Sequence, residues 1–189
     1  SGVLPKELYP AIRPFFSTWY HASPYMEKYV LEALCTMGYY QDALNRMKLR
    51  YRAMIESSLT TLWEGWGIGS EGFGGGTYNH AWSGGPLTIL SQYIAGIETL
   101  EPAFRTFRVA PHPAHLNLIR TQVPLSGGRR IIFEMDKSAH SGTMYLRVPE
   151  GTSAQVVLPA EFQCWSVNGE PKNERQLTLA AGEWHFEMS

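Results

Sequence analysis

The run Thr60-Thr61-Leu62-Trp63-Glu64-Gly65-Trp66 sets one carboxylate between two indoles. An apolar wall that takes water from a carboxylate raises its pKa and makes it useful as an acid or base, so Glu64 is the first residue to which chemistry can be assigned. Aromatic planes also stack on sugar rings. A glycine-rich stretch follows, with seven of the chain's 18 glycines between Gly65 and Gly76, and Tyr78-Asn79-His80-Ala81-Trp82-Ser83-Gly84-Gly85-Pro86 closes it. Trp66, Phe73, Tyr78 and Trp82 are interleaved with these glycines, which suits a packed loop whose backbone approaches something closely better than it suits a linker. No Gly-Lys-Ser or Gly-Lys-Thr ends it, so phosphate cradling gains no support. The plainer alternative makes Trp63 and Trp66 core aromatics at a helix end and leaves Glu64 in water.

Other chemistries fail on spacing. His112 and His115 flank a proline-rich connection, His140 sits by a turn and His185 alternates with Trp184 and Phe186; no pair forms a ligand set, and neither metal nor cofactor is expected. No Gly-x-Ser-x-Gly elbow occurs, and Cys35 lies within a helix on a packed surface. Glycoside hydrolysis needs two carboxyl groups, roughly 6.5–9.5 Å apart for inversion and roughly 5–5.5 Å for retention. Glu56 and Glu71 are the nearest others to Glu64, and neither has an aromatic setting. A catalytic Glu64 therefore needs a partner from outside this sequence.

The elements that must position Glu64 are helical. Four prolines before residue 25 allow one short helix around Ala11 to Trp19. Ser23-Pro24 is a helix start, with Tyr25, Tyr29, Val30, Ala33, Leu34 and Met37 at helical spacing and Gly38 as the stop. A second helix runs from about Tyr40 to Ser57 with Tyr40, Leu44, Met47, Tyr51, Met54 and Ile55 on one face, and the short connection makes the two antiparallel neighbours. A third is predicted from Gly85 to about Gly96. Beyond Glu101-Pro102 the period becomes two. Seven runs, near 115–123, 129–136, 143–148, 153–158, 162–167, 176–180 and 183–188, are separated by turn residues including Asn168-Gly169 and predict an antiparallel β-sandwich. The fold class is thus α+β, with helical hairpins over 1–103 and the sandwich over 104–189.

With 189 residues, 44% hydrophobic, 17% charged and a formal net charge of −1, the chain can bury a sizeable core and offers neither nucleic acid nor a membrane surface an electrostatic reason to bind. Six Trp and ten Tyr fit a carbohydrate-facing surface or large apolar interfaces. Cys35 and Cys164 are too far apart to define a pairing and are expected as buried, unpaired thiols. No apolar run is long enough to span a membrane, and the opening Ser1-Gly2-Val3 has neither a signal-peptide pattern nor an initiator Met. That reads as a piece of something longer, with periplasmic, secreted and cytoplasmic locations all open.

Three motifs together carry a resemblance: Thr61-Leu62-Trp63-Glu64-Gly65-Trp66, Asn79-His80-Ala81-Trp82-Ser83-Gly84-Gly85-Pro86, and Phe104-Arg105-Thr106-Phe107-Arg108-Val109-Ala110-Pro111. In order and distance they are similar to the C-terminal third of bacterial α-L-rhamnosidases of glycoside hydrolase family 78. The resemblance implies the last helices of an (α/α)6 barrel followed by a C-terminal β-sandwich, and inverting hydrolysis of rhamnosides. It implies Glu64 as the base, His80 lining the rhamnose pocket, and Trp63, Trp66 and Trp82 as its walls. The family's acid and its sugar-binding aspartates belong to an earlier acidic motif that nothing here matches, so the rest of the polypeptide becomes the expected partner, and apolar helical faces are expected to self-associate. Two other readings stay open: an (α/α)6-barrel glycosidase for a different sugar, and a non-catalytic carbohydrate-binding module.

Overall fold

Ser23 caps the first long helix by accepting from the Met26 amide at 3.3 Å, and Pro24 occupies its first turn, where a missing N–H costs nothing. In the computed structural model, which describes residues 4–67 and 76–189, this helix is α2 (Pro24–Thr36), preceded by α1 (Tyr9–Ser17) and followed by α3 (Tyr40–Glu56). Gly38 ends α2 at φ +85°, with the Tyr39 amide donating to Leu34 O at 2.8 Å. Glu71 and Phe73 lie outside the described residues.

The buried side of α2 is Pro24, Glu27, Val30, Leu31, Leu34 and Cys35, not the stripe through Tyr25 and Tyr29, which are 42% and 46% exposed. Glu27 turns this face inward. Its carboxylate takes both Nε and Nη2 of Arg46 from α3, with Nη2 at 2.9 Å, and both side chains are fully buried. Arg46 Nη1 also donates to Phe16 O and Trp19 O, each at 2.8 Å, so one guanidinium ties the end of α1 and the next connection to the α2–α3 pair. On α3, Leu44, Met47, Tyr51 and Met54 are buried as their spacing predicts, whereas Ile55 is 73% exposed.

The predicted third helix is only partly α-helical. Gly85–Thr88 makes one α turn, which widens to π geometry over Ile89–Ile94. The chain divides within this stretch into two compact units, Ser1–Leu90 and Ser91–Ser189. The change of period near residue 103 falls inside the second unit, because β1 (Ile97–Thr99) pairs with β2 (Thr106–Val109) across it. Gly96, just before β1, permits the close backbone approach at the open end of this pair: its φ is +71°, and a Cβ there would lie 1.9 Å from Ala110 O.

The second unit has two sheets. The larger contains β3 (Leu118–Pro124), β4 (Arg130–Lys137), β5 (Gly142–Val148), β7 (Trp165–Val167), β8 (Glu170–Lys172) and β10 (Gly182–Met188) in the order β3-β4-β5-β10-β7-β8. The smaller joins β1 and β2 to β6 (Ser153–Val157) and β9 (Gln176–Leu179). All pairs are antiparallel except β2–β6, which runs parallel with Thr106 opposite Ser153. Alternation decides the interior: Ile131, Phe133 and Met135 of β4 and Met144, Leu146 and Val148 of β5 are buried, with Phe107, Val109, Ala154 and Val156 facing in from the smaller sheet. Asn168-Gly169 forms the β7–β8 hairpin with φ of +51° and +83°, so the turn signal was legible although its second strand was not among the seven runs. The run at 162–167 is strand only from Trp165, because Phe162 follows Pro159 in a turn.

Candidate functional site

Two short segments lie side by side in the helical unit. The Glu64 amide donates to Thr77 O at 3.0 Å and the His80 amide to Leu62 O at 2.9 Å, while Thr61 Oγ1 donates to Tyr78 O. Residues 61–64 and 77–80 are thereby fastened together, and the fastening continues at Ser83, whose buried hydroxyl donates to Trp63 O. Satisfying these backbone groups is what lets non-helical chain hold one geometry.

Glu64 is held by that arrangement. Its Oε2 accepts from the Thr77 amide at 2.9 Å and from Thr77 Oγ1 at 3.3 Å, and His80 Nδ1 stands 3.8 Å away. The two side chains are about one-third exposed, at 33% for Glu64 and 34% for His80. A Cβ on Gly76 would fall 2.5 Å from Oε2 and 2.6 Å from the Glu64 Cβ, so only glycine leaves the carboxylate where it is. The Thr77 amide, more than any other cause, holds the Glu64 carboxyl below the ordinary glutamate range; burial comes next and pulls the other way, and the Thr77 hydroxyl and His80 add lesser downward contributions. This reverses the sequence expectation of a raised pKa. The physical reason is that the indoles do not wall the carboxylate, whereas two hydrogen-bond donors reach it.

The three tryptophans have separate surroundings. Trp63 is 7% exposed, within the interior. Trp66 packs edge-on against Tyr51 with centroids 5.0 Å apart and lies under the Arg50 guanidinium at 4.1 Å; its Nε1 and Arg50 Nη2 both donate to Ala22 O at 2.6 Å. Trp82 stands with the carboxylate: its ring is 4.2 Å from His80 and 5.3 Å from Tyr25, and its Nε1 donates to Glu64 O at 3.4 Å. Glu64, His80 and Trp82 therefore converge on one half-exposed surface with Tyr25 beside them. Trp63 is buried and Trp66 packs on Tyr51 and Arg50 instead.

Sequence reasoning missed Thr77, Gly76, Arg50 and the Glu27–Arg46 pair. Glu27 was findable, since it shares the 27, 30, 31, 34 stripe with Val30, Leu31 and Leu34, and a charge on an apolar stripe calls for a partner. Thr77 carries no such mark. Among the described residues no three His, Cys, Asp or Glu side chains gather as a metal site would require, and no helix is long and apolar enough to cross a membrane. Glu56 pairs with Arg52 at 3.0 Å on an exposed helix end.

Residues 96–172 match the family model of the bacterial α-L-rhamnosidase C-terminal domain. The chain resembles the C-terminal part of the family 78 α-L-rhamnosidases. Solved structures agree along most of its length. An α-L-rhamnosidase from Dictyoglumus thermophilum superposes with TM-score 0.73 at 23% identity, covering 86% of this chain and 20% of that one. The Streptomyces avermitilis α-L-rhamnosidase complexed with L-rhamnose gives 0.69 at 20%, over 86% and 17%. The family 78 rhamnosidase of Bacillus sp. GL1 gives 0.68 at 26%, over 80% and 17%. The chain thus spans about a fifth of the length of these rhamnosidases. No match was found among curated protein sequences.

Proposed function

We propose that this chain is the C-terminal part of an inverting α-L-rhamnosidase and that it contributes the general base, Glu64, to an active site completed by the rest of the polypeptide. The observation that carries this reading is the convergence of Glu64, His80 and Trp82: an ionised carboxylate, a hydrogen-bonding ring and an aromatic plane on one accessible surface. A general base must be unprotonated when substrate arrives, and the Thr77 donors favour that state. Glu64 takes a proton from water, the water oxygen bonds to the anomeric carbon on the face opposite the leaving group, and the glycosidic oxygen leaves with a proton from an acid outside this chain. His80 binds sugar hydroxyls and Trp82 presents a plane to the ring. Trp63, buried, and Trp66, packed on Tyr51 and Arg50, belong to the support of this segment and not to the sugar-facing surface. The substrates are rhamnosides, and neither nucleic acid nor membrane takes part.

The test is kcat of Glu64→Gln in the complete enzyme, with thermal stability measured on the same sample. Loss of the proton acceptor should lower kcat roughly 10²–10⁴-fold and leave ground-state binding of rhamnose nearly unchanged. Near-wild-type turnover would remove Glu64 from the mechanism and leave a carbohydrate-binding surface. The isolated 189-residue chain should not hydrolyse aryl α-L-rhamnosides, since one carboxylate cannot serve both faces of the sugar.

A further inference from the structure

Thr77 Oγ1 lies 3.3 Å from Glu64 Oε2 and 3.4 Å from His80 Nδ1, so one hydroxyl bridges the two polar groups of the site. A threonine hydroxyl has a single proton to give, and an ionised carboxylate can only accept. Once that proton goes to Glu64, Oγ1 can meet His80 only as an acceptor, and Nδ1 must then carry a hydrogen. The carboxylate favours the same outcome, because its Oε2 is 3.8 Å from Nδ1 and attracts a proton there. Asn79 O, at 3.5 Å from the hydroxyl, is a longer and uncharged competitor. No described residue makes a hydrogen bond with Nε2, the far nitrogen of this one-third-exposed ring, whose face is covered by Trp82.

We propose that Thr77 is a positioning residue: its hydroxyl links His80 to Glu64, fixes the neutral imidazole as the Nδ1–H tautomer, and leaves Nε2 facing substrate as a hydrogen-bond acceptor. The group it selects is a hydroxyl that donates, as each free hydroxyl of a sugar can. The site therefore discriminates against an analogue in which that hydroxyl is replaced by hydrogen or by an ether, because bound sugar would then cover the Nε2 lone pair without matching it. Protonation of His80 turns Nε2 into a donor and removes this match. His80 is the titratable group among the described residues that bears on Glu64, and the remaining influences on that carboxylate are the two Thr77 donors and burial.

This inference rests on the reading of Glu64 as base, and the experiment separates the two. In the complete enzyme, with an aryl α-L-rhamnoside as probe, Thr77→Val keeps the shape and removes the hydroxyl. KM should rise about five-fold, as expected for one lost hydrogen bond, and the acid limb of kcat/KM should move to higher pH because the ionised carboxylate loses a donor. Thr77→Ser should restore both. A merely structural threonine would lower thermal stability and leave the limb and KM in place, and that result overturns the proposal, as does a Thr77→Ser variant as impaired as Thr77→Val. Should the valine variant not fold, Thr77→Ala carries the same two expectations. Glu64→Gln, run alongside, tells which claim has failed: retained turnover there sinks the base assignment, whereas lost turnover with an unmoved Thr77→Val limb sinks only the role of Thr77.

Discussion

The two units are stabilised in different ways. The sheet unit buries Phe133, Leu146, Phe186 and their neighbours on strictly alternating strands, and its buried polar side chain is Thr152. The helical unit buries Glu27, Arg46 and Ser83 as well as its leucines, and it carries every exposed large hydrophobic side chain among the described residues except Leu100 and Leu118. Apolar burial is non-directional and secures a shape, whereas a buried ion pair with four hydrogen bonds fixes positions. The unit with the candidate site is the one that buries a charged pair. Its uncovered aromatic and aliphatic residues, Phe15, Trp19, Tyr25 and Tyr29 among them, are what a further surface would cover.

The strongest test of this contrast pairs Glu27→Ala with Phe133→Ala. Each should cost about 3–5 kcal/mol, the first by leaving the Arg46 charge buried and unpaired, the second by opening a cavity. Urea unfolding measures both. Activity per folded molecule should divide them: Glu27 anchors Arg46 and neighbours Arg50, whose guanidinium shares Ala22 O with Trp66, so its loss should reach Glu64, while loss of Phe133 should not. Equal effects on turnover would dissolve the distinction. Gly76→Ala comes next. Its Cβ must displace Glu64, so kcat/KM of the complete enzyme should fall roughly 10- to 100-fold, against about 1 kcal/mol of stability.

A smaller effect is the pH dependence of Glu64. Because its pKa is lowered on folding, its stabilising contribution is present above the ordinary glutamate range and is lost as pH falls through the lowered value. Glu64→Gln should therefore differ from the parent in melting temperature at neutral pH and converge with it in acid; a difference that persists or widens in acid would contradict the donor geometry. The smallest effect concerns the thiols. Cys164 is exposed, contrary to the expectation that both cysteines are buried, since the loop before β7 leaves it at the surface; Cys35 is 1% exposed with its pKa pushed up to about 12 by burial. A thiol reagent should label one cysteine in the folded chain and two after denaturation.

Periodicity made most of the fold legible. The α2 start at Ser23-Pro24, the stop at Gly38 and the alternation of β4, β5 and β10 follow from local chemistry. What stayed hidden was what other segments decide. Tyr25 and Tyr29 have the spacing of a buried stripe, yet the pairing of Glu27 with Arg46, nineteen residues away, rotates the helix and leaves them outside. β1, β2 and β8 are three or four residues long, too short for a period to register. In the site, Glu64, His80 and Trp82 could be picked out by residue type, whereas the direction of the Glu64 shift depends on a donor thirteen residues further along.

The parallel β2–β6 pair has a kinetic consequence. Thr106 and Ser153 are 47 residues apart, and the chain between them forms β3, β4 and β5 in the other sheet, each antiparallel to the next. Those local hairpins need only short loops to close and can form within microseconds, but β6 can dock beside β2 only after a long segment has been ordered, and β9 pairs with β6 afterwards. Loop closure then sets the pace, as it does wherever non-local pairing dominates. Protection of β4 and β5 amides should precede that of β2 and β6 in a refolding time course followed by hydrogen exchange. Until β6 docks, the β2 edge that it pairs with should stay open, and that interval is when the sheet unit is expected to be most exposed to aggregation.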